Sequence, residues 1–407
     1  MERQRALRRN IILLRGFSMV SMFMLMMPVI VLYFTELGLS MHDVMLVQAL
    51  FGATMVAFEI PSGYFSDVLG RRRTMIIGAT LTWSGWILYA FVHGIWGVLS
   101  AEIVLGIGFS LISGTDSALR YDTLLEMGHP ERSMQEEGRQ ISMANFSESA
   151  AAIIGGLLAG VSLLTPLIVQ AALFTALPVL AWLLTEPQVH MQRRRASVRD
   201  MWDIVHGATF RDPEIRMALI MGSIIAAATL TNVWMVQPIM ASVGVPTAAF
   251  GVIWAVLNAT AGMSSMNAWR LERRVGFRRN VLVLIGILAV GFTLTGLIHA
   301  WWIAVIFALF SMVRGLGNPL FISRINARVS SDQRATVLSI RQLGMRVIFL
   351  VMGPFIGWIA DRTSLQTAQL ISGGTFVGVA LAAYVFLSAP REAYAGVASP
   401  SLEVEEI

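Results

Sequence analysis

Two amino acids are missing from this 407-residue chain: it contains no cysteine and no lysine. Without cysteine there can be no disulfide, thiolate metal site or thiol nucleophile. Without lysine there can be no Gly-x-x-x-x-Gly-Lys phosphate loop, which speaks against an ATP-driven pump. The six histidines, His42, His93, His129, His190, His206 and His299, all fall in loops or at the boundaries of apolar stretches. No His-Glu-x-x-His occurs, so neither a metal nor a cofactor is expected. Charge is scarce as well: 14% of residues are charged against 56% apolar.

The apolar residues come in long blocks. A helix of about 20 apolar residues crosses a bilayer core, and twelve such blocks can be read, near 11–36, 43–66, 74–93, 96–119, 141–163, 166–185, 215–240, 247–269, 280–298, 301–325, 336–360 and 367–388. The chain reads as an all-α membrane protein of twelve transmembrane helices, with the lipid bilayer as its first partner. A net charge of +5 could suggest nucleic acid, but the arginines sit in short runs between the blocks. Such runs carry topology information, and no nucleic-acid partner is expected. Arg3 to Arg9, Arg71 to Arg73, Arg132, Arg139, Arg193 to Arg199, Arg270 to Arg279 and Arg324 to Arg334 share one side, and Arg362 stands on the other. That bias places both termini in the cytoplasm. Trp96, Trp301, Trp302 and Trp358 mark the outer boundary as an aromatic belt. The first block is too long for a cleaved signal, so it is read as a retained span.

The chain is organised around Glu59-Ile-Pro-Ser-Gly63-Tyr-Phe-Ser-Asp67-Val-Leu-Gly70-Arg71-Arg72-Arg73. Gly63, lacking a Cβ, is expected to let two helices come close. Asp67 can accept from a cation or a helix N-terminus. Gly70 can take the positive φ that stops a helix within one residue. Gly63-x-x-x-Asp67-x-x-Gly70-Arg71-Arg72 resembles the loop 2–3 signature of the major facilitator superfamily of secondary transporters, and the chain looks like its bacterial efflux-type members. The resemblance implies two pseudo-symmetric six-helix bundles, 1–188 and 214–390, joined by a cytoplasmic linker at 189–213, with a tail at 391–407. It implies alternating access, a small-molecule substrate, proton coupling, an inner-membrane location and a monomer. It also implies a gate in which Arg71 pairs with Asp122 at the end of helix four while Asp67 faces Arg334 and the start of helix eleven. A degenerate echo, Leu271 to Arg279 around Gly276, follows span eight, where a duplication places it. Two departures from the family pattern bear on coupling and direction. Glu102 stands where an arginine is usual, and Ala151-Ala152-Ile-Ile precedes Gly155-Gly156 where a Gly-Pro pair is usual.

An ionisable side chain inside a span costs ~2.5–3.5 kcal/mol on insertion scales and needs a partner, water or a role. The acids are Glu59, Glu102, Asp116 and Glu148, all in the first half; the bases are Arg15, Arg314, Arg341 and Arg346, three of them in the second. Glu102, Gly106, Ser113 and Asp116 fall on or near one helical face. Asn145 adjoins Glu148, and Gln342 adjoins Arg346, with Arg341 turned elsewhere. Arg15 can snorkel to the headgroups. One reading bridges the acids to the arginines as structural pairs. The other makes Glu59, Glu102, Asp116 or Glu148 proton carriers, and Arg314, Arg341, Arg346, Gln342 and Asn145 substrate-binding residues. Met19, Met22, Met24, Met26 and Met27 are packing filler or a pliable wall for hydrophobic ligands. Proton-coupled efflux of drug-like or amphipathic compounds leads. Uptake of an anionic metabolite or siderophore is the alternative, and a non-transporting receptor or scaffold the third.

Overall fold

The computed structural model describes residues 2–188, 212–329 and 333–388. Most of the expected linker, from 189 to 211, and the tail from 391 lie outside the described residues. So do Arg193 to Arg195, Arg199, His190 and His206.

The described residues form helices and the turns between them, with no strand. The first expected span is interrupted. α1 (Glu2–Ser21) and α2 (Ile30–Glu36) are separated by an unwound stretch at 22–29. Pro28 explains part of this, since its ring and missing N–H oppose a helix interior. Backbone that leaves a helix at membrane depth must find partners inside the protein, and two distant glutamines supply them. Gln170 accepts from Met26 N at 2.9 Å. Gln237 accepts from Val31 N at 2.8 Å and donates to the Met27 carbonyl at 2.9 Å.

α3 (Met41–Leu69) begins with a capping box between Ser40 and Asp43. It ends at Gly70, whose φ of 92° stops it within one residue, and α4 (Arg71–Tyr89) starts immediately. The expected echo is present in three dimensions. Gly276, at φ 81° and ψ 159°, divides α10 (Thr247–Val275) from α11 (Phe277–Leu297) much as Gly70 at ψ 153° divides α3 from α4. The remaining helices are α5 (Gly94–Glu126), α6 (Ser133–Ala159), α7 (Leu164–Phe174), α8 (Ala176–Leu183), α9 (Pro213–Ser242), α12 (Ile303–Asn326), α13 (Arg334–Arg362) and α14 (Leu365–Ser388). α7 and α8 share the sixth expected span.

Ten stretches among the described residues are helical, long and apolar enough to cross a membrane. The α1–α2 segment and α4 are not among them; these carry the arginine runs at 3–9 and 71–73. Several helices outrun their apolar blocks, α6 by a full two turns at its start.

α5 packs against α3 and α4, and α9 packs against α12, α13 and α14. Two seams join helices from before and after the undescribed 189–211 segment: α3 with α13, and α6 with α10. The second seam is close enough to require glycine. A Cβ on Gly156 would lie 2.6 Å from Gly251 N, and one on Gly251 would collide with the Ala152 carbonyl.

Candidate functional site

Between the two seams lie three adjoining chambers. The upper one, about 370 Å³, is walled by methionines and aromatics, among them Met22, Met27, Met55, Phe109 and Trp234. Three of the five methionines singled out near span one, Met22, Met24 and Met27, line it because the break at 22–29 turns them inward. Met26 is core and Met19 is exposed. The lower chamber, about 580 Å³, is polar, and Glu59, Gly63, Asp67, Arg71, Arg341 and Gln342 face it. A side chamber of about 190 Å³ lies between α9, α12 and α13 and is lined by Arg314, Asn318, Arg341 and Gln342. Arg346 stands between the upper and lower chambers and belongs to both.

The lower chamber opens at the arginine-rich end. Gly63 is exposed there, and a Cβ on it would meet nothing within 4 Å. The expectation that Gly63 brings two helices together is therefore not met in this conformation, because the helices are apart at this end. Arg71 pairs with Asp122 as the resemblance implied, and Asp67, expected to face helix eleven, pairs with Arg71 as well. Arg71 Nη1 lies 2.9 Å from Asp67 Oδ1, and Arg71 Nε donates to Asp122 Oδ2 at 3.3 Å. Arg334 instead donates to the Val329 carbonyl at 3.2 Å, leaving the Asp67 side chain about half exposed to the opening. Glu186, three residues before the expected linker, holds this corner. Its two oxygens accept from the backbone N–H groups of Arg71 and Arg72, each at 2.7 Å. A helix that starts directly after a glycine has free N–H groups but no side-chain cap of its own; that was the signal for such a partner.

The opposite end is closed. The carboxylate of Asp361, at the end of α13, accepts from Met41 N at 2.9 Å and His42 N at 2.8 Å. His42 Nδ1 donates to the Pro354 carbonyl at 3.0 Å. With the Ser40–Asp43 capping box, the exposed N–H groups of the first turn of α3 are all satisfied. Gly357 lies against the Met41 backbone, where a Cβ would sit 2.5 Å from its carbonyl. Sequence reasoning missed Asp361. An acid at the end of span eleven, beside the lone outer arginine, was the available clue.

Inside, Glu59, Glu102 and Glu148 are not bridged to Arg314, Arg341 or Arg346. Neutral groups stand between them. Glu102 is 4% exposed and accepts from Gln48 Nε2 at 2.7 Å. Glu148 accepts from Asn258 Nδ2 at 3.1 Å and Trp254 Nε1 at 3.4 Å, and the oxygen of that same Asn258 accepts from Arg314 at 2.7 Å. Arg341 donates to Asn318 at 2.9 Å, and Arg346 to the Gly52 carbonyl at 3.0 Å across the seam. Glu59 faces the lower chamber, 3.5 Å from Ser339 Oγ. Arg341 points into the chambers rather than elsewhere.

Three further expectations are corrected. Asp116 leaves the Glu102–Ser113 face: it pairs with Arg120 at 2.7 Å and accepts from Gln140 at 2.5 Å, on the α6 side. Asn145 is exposed, and its side-chain amide makes no hydrogen bond among the described residues. Arg15 does not reach for headgroups; it is paired with the buried Glu136, because α6 starts before the apolar block does.

The family description "Major Facilitator Superfamily" matches residues 11–231 and again 217–401, which together span nearly the whole chain. The chain belongs to the major facilitator superfamily. That superfamily is one of multi-pass membrane transporters, not of enzymes. Solved transporters of this superfamily share its fold. A crystal structure of a point mutant of the nucleoside transporter NupG superposes with a TM-score of 0.77, 16% identity, and coverage of 93% of this chain and 100% of that one. A bacterial homologue of the human lysosomal transporter Spinster, inward-facing and unoccupied, superposes with a TM-score of 0.69 at 14% identity, covering 94% of this chain and 97% of that one. A POT family transporter in complex with 5-aminolevulinic acid gives a TM-score of 0.69 at 13% identity, again over 94% and 97%. An uncharacterized transporter of Buchnera aphidicola subsp. Acyrthosiphon pisum, BU466, is 32% identical over 109 residues. That match spans 26% of this chain and about a quarter (27%) of the relative.

Proposed function

We propose that this superfamily member is a proton-coupled secondary transporter of the bacterial inner membrane that exports an amphipathic small organic solute by alternating access. In this reading it is a monomer of twelve spans in two six-helix bundles, 1–188 and 214–390, with both termini in the cytoplasm. One observation carries the reading: a single chain of chambers lies between two helix seams, sealed at the Asp361 end and open at the arginine-rich end. With the arginines on the cytoplasmic side, that is an inward-facing state. The methionine and aromatic wall suits apolar bodies of varied shape. Glu102, a buried carboxyl held by a neutral amide, is the acid best placed to take and release a proton as the chambers change exposure. Gly63, Asp67, Gly70, Arg71 and Asp122 form the gate at the cytoplasmic end.

A second reading keeps the fold and reverses the flux, importing an organic anion bound by Arg314, Arg341 and Arg346. It is favoured by the side chamber, two of whose five polar lining residues are arginines. Both readings are tested in proteoliposomes with an imposed pH gradient, following a library of labelled solutes. Export predicts substrate-dependent proton movement of one sign that Glu102→Gln abolishes while the protein still inserts. Undiminished coupled flux in Glu102→Gln would refute the assignment, and a reversed sign would select import.

A further inference from the structure

Arg341 is a buried cation that no carboxylate answers among the described residues. Arg341 is 5% exposed, and its side chain makes one hydrogen bond, to Asn318. Its Nε is buried without a partner. Arg3, Arg15, Arg71, Arg120, Arg324 and Arg328 each meet a carboxylate. Arg341 meets none among the described residues, and a buried guanidinium without an anion is costly to keep. It lines two spaces: the lower chamber, on whose walls Glu59 and Asp67 stand without pairing to it, and the side chamber, where Arg314 adds a second positive group and Gln342 a polar one. The other walls of that chamber are apolar, with Ile225, Val233, Val313 and Phe321 among them. Leu230 and Met345 line both the side chamber and the upper chamber, so the two spaces adjoin over those side chains.

We infer that the solute is an amphipathic organic anion: its anionic head, a carboxylate or a comparable oxyanion, sits on Arg341 in the side chamber, and its apolar body extends past Leu230 and Met345 into the methionine-walled upper chamber. A planar guanidinium suits the two oxygens of such a head. Both spaces are large enough for this division, at about 190 Å³ for the head and about 370 Å³ for the body. The inference rests on reading the central chambers as the solute site, and it holds for either direction of transport.

The test uses the full-length protein in nanodiscs of neutral lipid at pH 7, with equilibrium dialysis measured against empty discs. Three probes share one apolar body: 2-naphthoate, 2-naphthamide and 2-naphthylmethylammonium. The wild type is expected to bind the carboxylate at least tenfold more tightly than the amide or the cation. Arg341→Gln removes that preference. Gln342→Glu, at an exposed position, supplies an internal carboxylate and weakens naphthoate without weakening naphthamide. Arg270→Gln, which removes an exposed surface charge, leaves the preference intact. A fourth probe, 2-naphthyl phosphate, tells a carboxylate preference from a dianion preference, and stronger binding of either anion than of the amide supports the proposal. Equal binding of anion, amide and cation, or binding of none, overturns it. So does an undiminished preference in monodisperse Arg341→Gln; if that variant does not stay monodisperse, an undiminished preference in Gln342→Glu does so. Arg341-dependent binding without flux would sink the transporter reading alone. Coupled flux of a cation unaffected by Arg341→Gln would sink this inference alone.

Discussion

At the scale of single residues, the corner around Gly70 shows how few side chains set the gate. Gly70 occupies a φ of 92° and ψ of 153°, a region all but reserved for glycine, and a Cβ there would lie 3.1 Å from Glu186 Oε1. Gly70→Ala is expected to cost ~1–3 kcal/mol from backbone strain. Glu186→Ala strips the cap from α4 and is expected to cost ~1–2 kcal/mol. Thermal unfolding of detergent-purified protein checks both, and an unchanged midpoint in Glu186→Ala would count against the cap. Much of this corner could be read in advance. Gly70 was legible because a tight reversal between two apolar blocks needs a positive φ, and the pairing of Arg71 with Asp122 followed from the resemblance, whereas Asp67 pairs with Arg71 and not with Arg334 as the resemblance implied. Glu186 was not legible, since its role depends on α8 returning to the start of α4, which no local pattern encodes. Asp116 was misplaced for a geometric reason. Fourteen residues at 100° each end about 40° off the starting direction, enough to turn its carboxylate toward Arg120 and Gln140.

At the scale of elements, the helices were largely visible as apolar blocks, and the errors lie where packing overrides composition. The α1–α2 break carries only Pro28 as a local sign. Its stability comes from Gln170 and Gln237, more than a hundred residues away. Gln237→Leu is expected to leave Val31 N and the Met27 carbonyl unsatisfied, destabilising the protein by roughly 1–3 kcal/mol, and Gln237→Glu to be milder because one acceptor remains. Differential unfolding of the two variants checks the order. The seams offer a second test. Because the chain has no cysteine, spin labels can be attached to introduced pairs without background. Asp361→Asn weakens a carboxylate clamp on a helix N-terminus, and at an exposed site that is worth about a two- to fivefold shift toward separation of α3 and α13. Gly251→Leu drives α6 and α10 apart outright. Pair distances across the closed end that stay the same in both variants would contradict the seam assignment.

For the whole molecule, the sequence led to the superfamily and to a charge contrast between its halves, but not to how that contrast is managed. Neutral amides separate the charges: Gln48 on Glu102, Asn258 between Glu148 and Arg314, and Asn318 on Arg341. Such groups were overlooked because an amide in an apolar helix reads as incidental until its neighbour is known. The sidedness of the assembly is open to direct measurement. A cysteine placed at Gly63 is expected to react with a membrane-impermeant maleimide from the cytoplasmic face, and one at Leu39, buried beside the Ser40 cap, to be protected while the closed end holds. The reverse pattern would mean that the orientation, or the resting state, is the opposite.

The two fastenings at the ends of the molecule differ in what each leaves behind when undone. Arg71 keeps its two carboxylate partners on its own side of the opening, and Asp361 grips only peptide N–H groups that water can replace. Neither release strands a bare ion in lipid, so the two orientations can lie close in free energy, and the occupant of the chambers is then enough to decide which way the balance tips.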